Sequence, residues 1–206
     1  MTKRETPDII IGRLPVYLRA LRHMEAQGKG TTSSQELGEQ VGISAAQIRK
    51  DLSQFGEFGK QGTGYSIAFL IGKLREILKV DRVWDVVVVG MGDMGHAIAR
   101  YQGFADRGFR ISQVFDSDPA KIGERIGSFV VQDTRELGTA IRKADVRIAM
   151  LCVPAAAAQQ VANQLVEAGV RAILNYAPIN LNVPKGVWVQ YLDPTVGLQR
   201  MTYYLE

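Results

Sequence analysis

The sequence has very little cysteine and histidine and no long apolar run. Cys152 is the only cysteine, which excludes an internal disulfide and a metal site built from several cysteines. No stretch approaches the roughly 20 consecutive apolar residues of a membrane span. The polar N-terminus, which contains both charge signs, is not typical of a signal peptide. We therefore expect a cytoplasmic protein with no membrane partner, in which Cys152 is a core strand residue rather than a nucleophile.

The net positive charge is confined to the first part of the chain. Residues 1–80 contain 12 Lys and Arg against 8 Asp and Glu, whereas residues 81–206 contain 13 of each kind. The overall composition, 46% hydrophobic and 22% charged, is ordinary for globular domains. The charge division predicts that the two parts have different partners.

A glycine-rich stretch directly follows four consecutive valines. Val86–Val89 lead into Gly-x-Gly-x-x-Gly, and apolar residues then continue at helical spacing. Strand, glycine turn and helix in this order are the context in which a dinucleotide pyrophosphate binds at a helix N-terminus. We expect Asp93, the acid within this loop, to point to solvent. The predicted cofactor-binding residues of the loop are Gly90, Met91, Gly92, Asp93, Met94 and Gly95.

An acidic residue ends the next predicted strand, which runs from Arg110 into Asp116. It follows Gly95 by 21 residues, where an acid that binds the adenosine ribose hydroxyls is expected. Ser117 rather than an arginine comes next, which favours NAD over NADP. NADH and NAD+ are therefore the predicted cofactors.

Strands and helices alternate beyond residue 81. Apolar runs predict strands at 128–131, 146–153, 171–175 and 187–192, with helices at 133–144 and 154–168. Continuous apolar strands between helices predict a parallel sheet covered on both faces. Ligands of such sheets lie at the carboxyl ends of the strands. Two turns there are candidates to line the cofactor, or are connections only: Val153-Pro154 and Asn175-Tyr176-Ala177.

The first 80 residues have the pattern of a small helical domain. Apolar spacing predicts a helix over 9–26, then two short helices capped by Ser33 and Ser44 and joined at Gly42-Ile43. Two short helices around a tight glycine turn are typical of a helix-turn-helix. A small solvated helical hairpin would explain the pair equally well. The candidate DNA-binding residues of the second helix can bond to base edges and phosphates: Ser44, Gln47, Arg49, Lys50, Ser53 and Gln54.

Residues 55–65 favour the DNA-binding interpretation. Four glycines and three aromatic residues predict a tight β-hairpin whose aromatic side chains pack on the helices. A hairpin directly after a recognition helix indicates a wing. Lys60 near its tip, with Gly62, is predicted to contact a phosphate or the minor groove. A helix predicted over 66–80 ends this domain.

The last segment opens with Asp193 as an N-cap and Pro194 at the first helical position. Its apolar side chains have no later strand to cover them, so we expect them to pack on the first domain or on a second subunit. The predicted fold class is α/β: an N-terminal winged helix-turn-helix domain (1–80), an NAD-type Rossmann parallel-sheet domain (81–192) and a C-terminal helix (193–206).

Taken together, these features resemble the Rex family of redox-sensing transcriptional repressors. The resemblance covers nearly the whole chain. It implies a homodimer that binds a two-fold symmetric double-stranded operator when NADH is low and is released when NADH binds, with the C-terminal helix exchanged between subunits. It also implies a redox switch, matched here by Arg19, Tyr101 and Asp193. The motifs concerned are Ile10–Arg19, Gln47–Ser53 with Phe55-Gly56, Gly62-x-Gly64-Tyr65, Gly90-Met91-Gly92 and Asn175–Pro178.

Two other functions stay open at this point. One is a small NAD-dependent oxidoreductase or a CoA-binding subunit, because the same nucleotide fold serves many activities. No acid, base and nucleophile set emerges from the sequence, so we do not expect an enzyme. The other is a DNA-binding protein whose Rossmann domain serves only for dimerisation.

Overall fold

Residues 6–58 and 64–205 are described by a computed structural model. By its internal contacts the chain falls into two units, Met1–Arg82 and Val83–Glu206. The segment from residue 193 onward, considered separately above, is grouped with the second unit.

The first unit is mainly helical. Side chains from its helices share one buried core that includes Leu14, Leu21, Leu37, Ile48 and Leu70. The helices predicted for this part are confirmed. The elements are α1 (Asp8–Ala26), β1 (Thr31–Thr32), α2 (Ser34–Val41), α3 (Ala45–Ser53), β2 (Tyr65–Ser66) and α4 (Ile67–Ile77).

The helix-turn-helix geometry follows from two caps and two glycines. The Ser33 hydroxyl accepts the backbone N–H of Glu36 at 3.0 Å, and Ser44 caps α3 in the same way. Gly42 ends α2 with a φ of 69°, a left-handed conformation that glycine adopts readily. A Cβ on Gly38 would lie 2.4 Å from the carbonyl oxygen of Ile43, so this glycine permits the close approach of α2 to the turn.

The predicted wing is described only in part. Its tip, with Lys60 and Gly62, lies outside the described residues. Tyr65 pairs with Thr32 across an antiparallel β1–β2 contact, a partner that the sequence did not suggest. Phe58 is buried in the helical core and Phe55 packs against it, which confirms that these aromatic residues cover the helices.

The second unit contains the predicted alternation of strands and helices, with ends displaced by a few residues. Its elements are β3 (Trp84–Val89), α5 (Asp93–Arg100), a 3₁₀ helix (Gln102–Arg107), β4 (Phe109–Asp116), β5 (Arg125–Ile126), β6 (Phe129–Asp133), a 3₁₀ turn (Thr134–Glu136), α6 (Leu137–Ala144), β7 (Ile148–Leu151), α7 (Ala155–Ala168), β8 (Ala172–Asn175), β9 (Trp188–Tyr191) and α8 (Pro194–Thr202).

These strands form one sheet in the order β5-β6-β4-β3-β7-β8-β9. The chain runs outward from β3 through β4 to β6, then crosses to β7 on the other side of β3. This reversal creates a crevice between the carboxyl ends of β3 and β7, where ligands of such sheets bind. The sheet is parallel except for β5, which pairs antiparallel with β6. The prediction missed β5 because it is only two residues long.

The four valines of β3 explain why the sheet has helices on both faces. Val87 and Val89 belong to the core that α6 and α7 cover, whereas Val86 and Val88 belong to the core beneath α5. Each is at most 1% exposed. A strand buried on both faces has no polar alternation, which is the pattern that the sequence shows.

Helix α8 differs from the other α-helices of the second unit. It contributes no buried residue, and Val196, Leu198 and Met201 are each at least 60% exposed. An apolar helix surface of this kind is typical of an interaction site. Among residues 6–58 and 64–205, no helix combines the length and apolarity needed to cross a membrane.

Candidate dinucleotide cleft and DNA-binding helix

The glycine loop after β3 has two crowded glycines and one open glycine. A Cβ on Gly90, whose φ is 97°, would lie 2.5 Å from the carbonyl oxygen of Cys152, and a Cβ on Gly95 would lie 1.9 Å from the carbonyl oxygen of Gly90. By contrast, no described atom lies within 4 Å of a Cβ built on Gly92. Gly90 and Gly95 are therefore needed for the loop conformation, whereas Gly92 leaves its backbone accessible to a ligand.

Gly92 is also the N-cap of α5, and it provides no capping side chain. The first N–H groups of a helix have no partner within the helix and carry partial positive charge. An anionic group above Gly92 could accept hydrogen bonds from them. Asp93 and Met94, which follow, are exposed.

Asp116 connects the end of β4 to the glycine loop. Its Oδ2 accepts the backbone N–H of Met91 at 2.6 Å, and its Oδ1 accepts the N–H of Asp118 at 2.8 Å. Burial alone would raise the pKa of Asp116, but these amides and the ammonium of Lys121 outweigh it and hold the pKa below its ordinary value. The carboxylate is therefore ionised at neutral pH and positioned beside the loop.

A cleft of about 550 Å³ opens at the carboxyl ends of β3, β4 and β7. This size lies within the usual range for small-molecule and cofactor sites. The predicted residues that line it are Gly90, Gly92, Asp93, Met94, Asp116, Ser117, Val153 and Pro154. Four polar residues that were not predicted from the sequence also line it: Lys121, Thr134, Gln160 and Gln164. Only Lys121, five residues after Asp116 in the same loop, had a position that could have suggested it.

Asn175 shapes a loop instead of lining the cleft. It is fully buried, and its Nδ2 donates to the carbonyl oxygens of Ala177 and Ile179, both at 3.0 Å. Its Oδ1 accepts the N–H of Ala177 at 2.9 Å. Both ends of the amide are therefore used within the loop, and a contact of Asn175 with the cofactor stays a prediction. Tyr176 and Ala177 are likewise not among the residues that line this cleft.

Met91 and Gly95 also act beneath the cleft. Met91 is fully buried and contributes its backbone N–H to Asp116, while Gly95 packs against Gly90. These two residues support the loop, and the neighbouring backbone of Gly92 is the exposed part.

Cys152 follows directly after β7 and lines the cleft. Burial raises the pKa of its thiol to about 12, so the thiol stays protonated at neutral pH. Because the thiolate is the nucleophilic form, Cys152 is inert here.

His96 joins the glycine loop to the loop before β5. Its Nδ1 lies 3.0 Å from the carbonyl oxygen of Gly92, and its Nε2 lies 3.3 Å from Glu124 Oε1. These acceptors raise the pKa of His96 above its ordinary value. The imidazole therefore links the glycine loop to Glu124 and stabilises the loop.

On α3, the candidate DNA-binding residues are not equally available. Arg49, Lys50 and Gln54 are exposed. The hydroxyl of Ser44 caps the helix, and that of Ser53 donates to the carbonyl oxygen of Lys50 at 2.8 Å. The two cations are thus the groups of this helix best placed to meet phosphates.

A buried polar network that was not predicted from the sequence fixes α3 against α1. Asp51 is fully buried. It accepts two hydrogen bonds from Arg13, at 2.6 and 2.7 Å, one from the Tyr17 hydroxyl at 2.7 Å, and one from Gln47 Nε2 at 2.7 Å. Burial would raise the pKa of Asp51, but these bonds outweigh it and hold the pKa below its ordinary value. The available signal was an acid between the buried positions Ile48 and Leu52.

The three predicted switch residues lie on both units. Arg19 is exposed on α1. Tyr101 follows the last residue of α5 and does not belong to that helix; its ring packs edge-on against Phe104, with centroids 5.0 Å apart. Asp193 caps α8 by accepting the N–H of Thr195 at 2.9 Å. Their joint action stays a prediction.

The two units match different family models. Residues 81–179 match the family described as "CoA binding domain". Residues 5–53 match the family described as "Putative DNA-binding protein N-terminus".

The relatives that match over nearly the whole of this chain are named as repressors. The chain is 53% identical to the redox-sensing transcriptional repressor Rex of Chloroflexus aggregans, over 98% of this chain and 95% of the relative. It is 41% identical to the repressor of the same name from Brevibacillus brevis, over the full length of both.

Solved structures of RSP, a Rex-family repressor, have the same fold. The complex of RSP with β-NAD+ and operator DNA superimposes with a TM-score of 0.92 at 36% identity, over 97% of this chain and 92% of RSP. The complex with β-NADH gives 0.89 at 34% identity, over 98% and 94%. With such identity over nearly its whole length, and with a glycine-loop cleft and a helix-turn-helix in one chain, this protein belongs to the Rex family of redox-sensing transcriptional repressors.

Proposed function

We propose that this protein is a homodimeric repressor that binds a two-fold symmetric operator while NADH is low and is released when NADH binds. The main supporting observation is the cleft at the β3–β7 crevice, where Gly92 is open and Asp116 is ionised, in a chain that also has a helix-turn-helix. The complexes of RSP with operator DNA and with NADH support both ligands.

The residues of the cleft fit a dinucleotide. The pyrophosphate would lie above Gly92 at the N-terminus of α5, where the unpaired N–H groups favour an anion. Asp116, with Ser117, would bind the hydroxyls of the adenosine ribose. The nicotinamide would then lie on the opposite side of the crevice, beside Val153 and Pro154. Three further proposed cofactor residues line the cleft, namely Gly90, Asp93 and Met94. The others are Met91 and Gly95, which support the loop, and Asn175, Tyr176 and Ala177 after β8.

The two forms of the cofactor differ in charge at the ring that enters this pocket. Oxidised nicotinamide is positively charged, whereas the reduced ring is neutral. The apolar side chains of Val153 and Val161 line the cleft, and burying an unpaired charge among apolar groups is costly. The pocket would therefore close preferentially around NADH.

A preference for NADH controls DNA binding only if NADH and operator DNA favour different arrangements of the protein. We assign the connection to Arg19, Tyr101 and Asp193. Asp193 with Arg19 would hold the DNA-binding arrangement, and Tyr101 would change its partner when the reduced ring enters. A coupling free energy of about 1–3 kcal/mol is typical of such systems.

The DNA-binding surface would be α3 with the wing. Arg49 and Lys50 are its exposed cations, and Lys60 and Gly62 are the proposed wing contacts. In a two-fold dimer the two recognition helices lie about 34–36 Å apart, one turn of DNA. The remaining residues of this surface are Ser44, Gln47, Ser53 and Gln54.

This function divides the chain into a DNA-binding domain (1–80), an NAD(H)-binding domain (81–192) and a helix exchanged in the dimer (193–206). The exposed apolar side chains of α8 support the exchange, because a second copy would bury them. A repressor of operator DNA works at the chromosome, so we propose the cytoplasm as its place of action. The alternative of a small oxidoreductase or CoA-binding subunit is not favoured, since relatives of full length are named repressors.

A competition titration tests the proposal. The protein is bound to a fluorescent operator duplex at fixed salt, because protein–DNA affinity depends strongly on salt. NADH and then NAD+ are titrated in, and anisotropy reports bound DNA. We expect release by NADH at concentrations at which NAD+ leaves the complex intact. Retention of DNA at saturating NADH would refute the redox switch, and would favour a Rossmann domain that serves only for dimerisation.

A further inference from the structure

The side chain of Gln47 is held in one orientation by a buried acid. Gln47 is the third residue of α3, and Asp51 lies one turn later. Gln47 Nε2 donates to Asp51 Oδ1 at 2.7 Å. Gln47 is half-buried while Asp51 is fully buried. The amide therefore bridges the interior of the domain and its surface.

Asp51 can act only as an acceptor. Arg13 donates two hydrogen bonds to it, and the Tyr17 hydroxyl donates a third. An ionised carboxylate has no proton to donate, and the lowered pKa of Asp51 keeps it ionised at neutral pH. Gln47 must therefore turn its NH₂ group toward Asp51. The carbonyl Oε1, at the other end of the amide, is directed away from it.

Gln47 lies near the N-terminus of the recognition helix α3. N-terminal residues of such a helix contact base edges in the major groove. Among residues 6–58 and 64–205, no donor bonds to Gln47 Oε1. The helix thus presents an acceptor at this position. In the major groove, adenine N6 and cytosine N4 are donors, whereas guanine and thymine offer only acceptors.

We infer that Gln47 is a specificity-determining residue, oriented by the Asp51 network, which selects adenine or cytosine on the contacted strand and rejects guanine or thymine. The inference rests on the proposed DNA-binding function. It assigns Asp51, with Arg13 and Tyr17 behind it, as a positioning residue that never touches DNA. Operator preference at one base of each half-site then depends on a carboxylate in the protein interior.

The test is a base-by-base affinity profile. Binding sites are first selected with the wild-type protein, without NADH, from a randomised duplex library. Affinities are then measured at one salt concentration for every single-base change in the selected site. We expect wild-type protein to prefer adenine or cytosine at one position of each half-site by about fivefold, the value of one net hydrogen bond.

Two variants locate that preference. Gln47→Ala should abolish it at that position and leave the rest of the profile in place. Asp51→Asn should relax the same position, because an asparagine can donate to Gln47 Oε1 and allow the amide to turn. In the Gln47→Ala background, Asp51→Asn should cause no further change at that position. A purely structural role of Asp51 would lower affinity for all sequences alike.

The chain offers a matched control. Gln35 Nε2 donates to Glu39 Oε1 at 2.9 Å on α2, which is likewise a glutamine that donates to a carboxylate four residues later, but in an exposed position. Glu39→Gln should leave the profile unchanged. The slope of affinity against salt should also be unchanged in Gln47→Ala, because that slope counts phosphate contacts.

Several results would overturn the inference. These are an unchanged profile in Gln47→Ala, a wild-type preference for guanine or thymine at the position that Gln47→Ala relaxes, or a folded Asp51→Asn protein that keeps the preference. If circular dichroism shows that Asp51→Asn is unfolded, the affinity profile of Gln47→Ala alone tests the inference. A wild-type protein that enriches no sequence would instead refute the proposed function, and the inference with it.

Discussion

The three glycines of the nucleotide loop meet different constraints at the scale of single residues. Gly90 combines a φ of 97° with a Cβ position 2.5 Å from a backbone oxygen, so any side chain there strains the fold. Gly92 has an ordinary negative φ and open space around it. A side chain at Gly92 is therefore tolerated by the protein itself and would occupy only the volume intended for the ligand.

This difference predicts opposite behaviour of two alanine variants. Gly90→Ala should lower the free energy of unfolding by at least about 1–3 kcal/mol, the usual cost of one strained backbone position. Gly92→Ala should unfold near the wild-type temperature but lose most of its NADH affinity. Thermal unfolding and NADH fluorescence titration of both proteins check this. A Gly92→Ala protein with wild-type affinity would show that the pyrophosphate lies elsewhere.

Asp51 makes stability depend on pH. Its pKa is lower in the folded protein than in the unfolded chain, so its stabilising contribution is complete above the unfolded pKa of about 3.9 and is lost as pH falls through the folded pKa. Removing the charge from this buried network at pH 7 should cost about 3–5 kcal/mol, since Arg13 is left uncompensated.

Denaturant unfolding of the wild type and Asp51→Asn tests this. The difference in unfolding free energy between the two proteins should be largest at neutral pH and should shrink below about pH 4. Asp85→Asn, which removes an exposed pair with Arg110, is the control and should differ little from the wild type at any pH. A gap for Asp51→Asn that stays constant down to pH 2 would show that the pKa of Asp51 is the same in the folded and the unfolded protein.

At the scale of secondary-structure elements, α8 is the helix whose own unit leaves its apolar side uncovered. Leu198 and Met201 are 60% and 63% exposed and lie three residues apart, on one face of the helix. The same helix has a good start, with an Asp193 cap and Pro194 at the first position. It is therefore built to form a helix and needs a second surface to stabilise it.

We predict that α8 contributes to the homodimer through this face. Burial of a large apolar side chain is worth about 1.5–3 kcal/mol, so Leu198→Glu with Met201→Glu should raise the dimer dissociation constant more than tenfold. Gln199→Glu adds a charge to an exposed polar position between them and should leave the dimer intact. Analytical ultracentrifugation measures both. A double variant that dimerises like the wild type would place the interface elsewhere.

At the scale of the whole molecule, the question is how the cofactor and DNA affect one another. Binding at one site changes affinity at another only through a difference in free energy between two states, and the effect is reciprocal. Arg19 on α1 and Asp193 at the start of α8 belong to different units. Our proposal assigns the difference between the two states to these two residues.

Arg19→Ala should uncouple the two ligands. In the wild type we expect NADH to weaken operator affinity by about 5–150-fold, the usual range of such coupling. In Arg19→Ala that ratio should approach one. Arg49→Ala, a change to an exposed cation of α3, should weaken binding with and without NADH by a similar factor and so keep the ratio. Anisotropy titrations of both variants measure it, and a wild-type ratio in Arg19→Ala would remove this residue from the switch.

The sequence by itself determined the α-helices, the longer strands and the position of the cleft. Val86–Val89, the glycines after them and Asp116 are local patterns with one physical interpretation each, because strand burial, backbone freedom and an acid at a strand end all follow from residue type and spacing. The caps at Ser33 and Ser44 are local for the same reason: the bond that each makes spans only three residues.

Only the tertiary structure decided which side chains serve the ligand and which serve the fold. Asn175 belongs to a motif at a strand end, yet its amide is used within its own loop, and Lys121 reaches the cleft through a contact with Asp116. Asp51 meets Arg13 across 38 positions of the chain. Such contacts depend on how separate elements pack. The spacing of two residues along the sequence does not show whether their side chains are close in the folded protein. The same packing orients Gln47. The sequence placed this residue on the recognition helix, but only the folded structure determined that its NH₂ group turns toward Asp51.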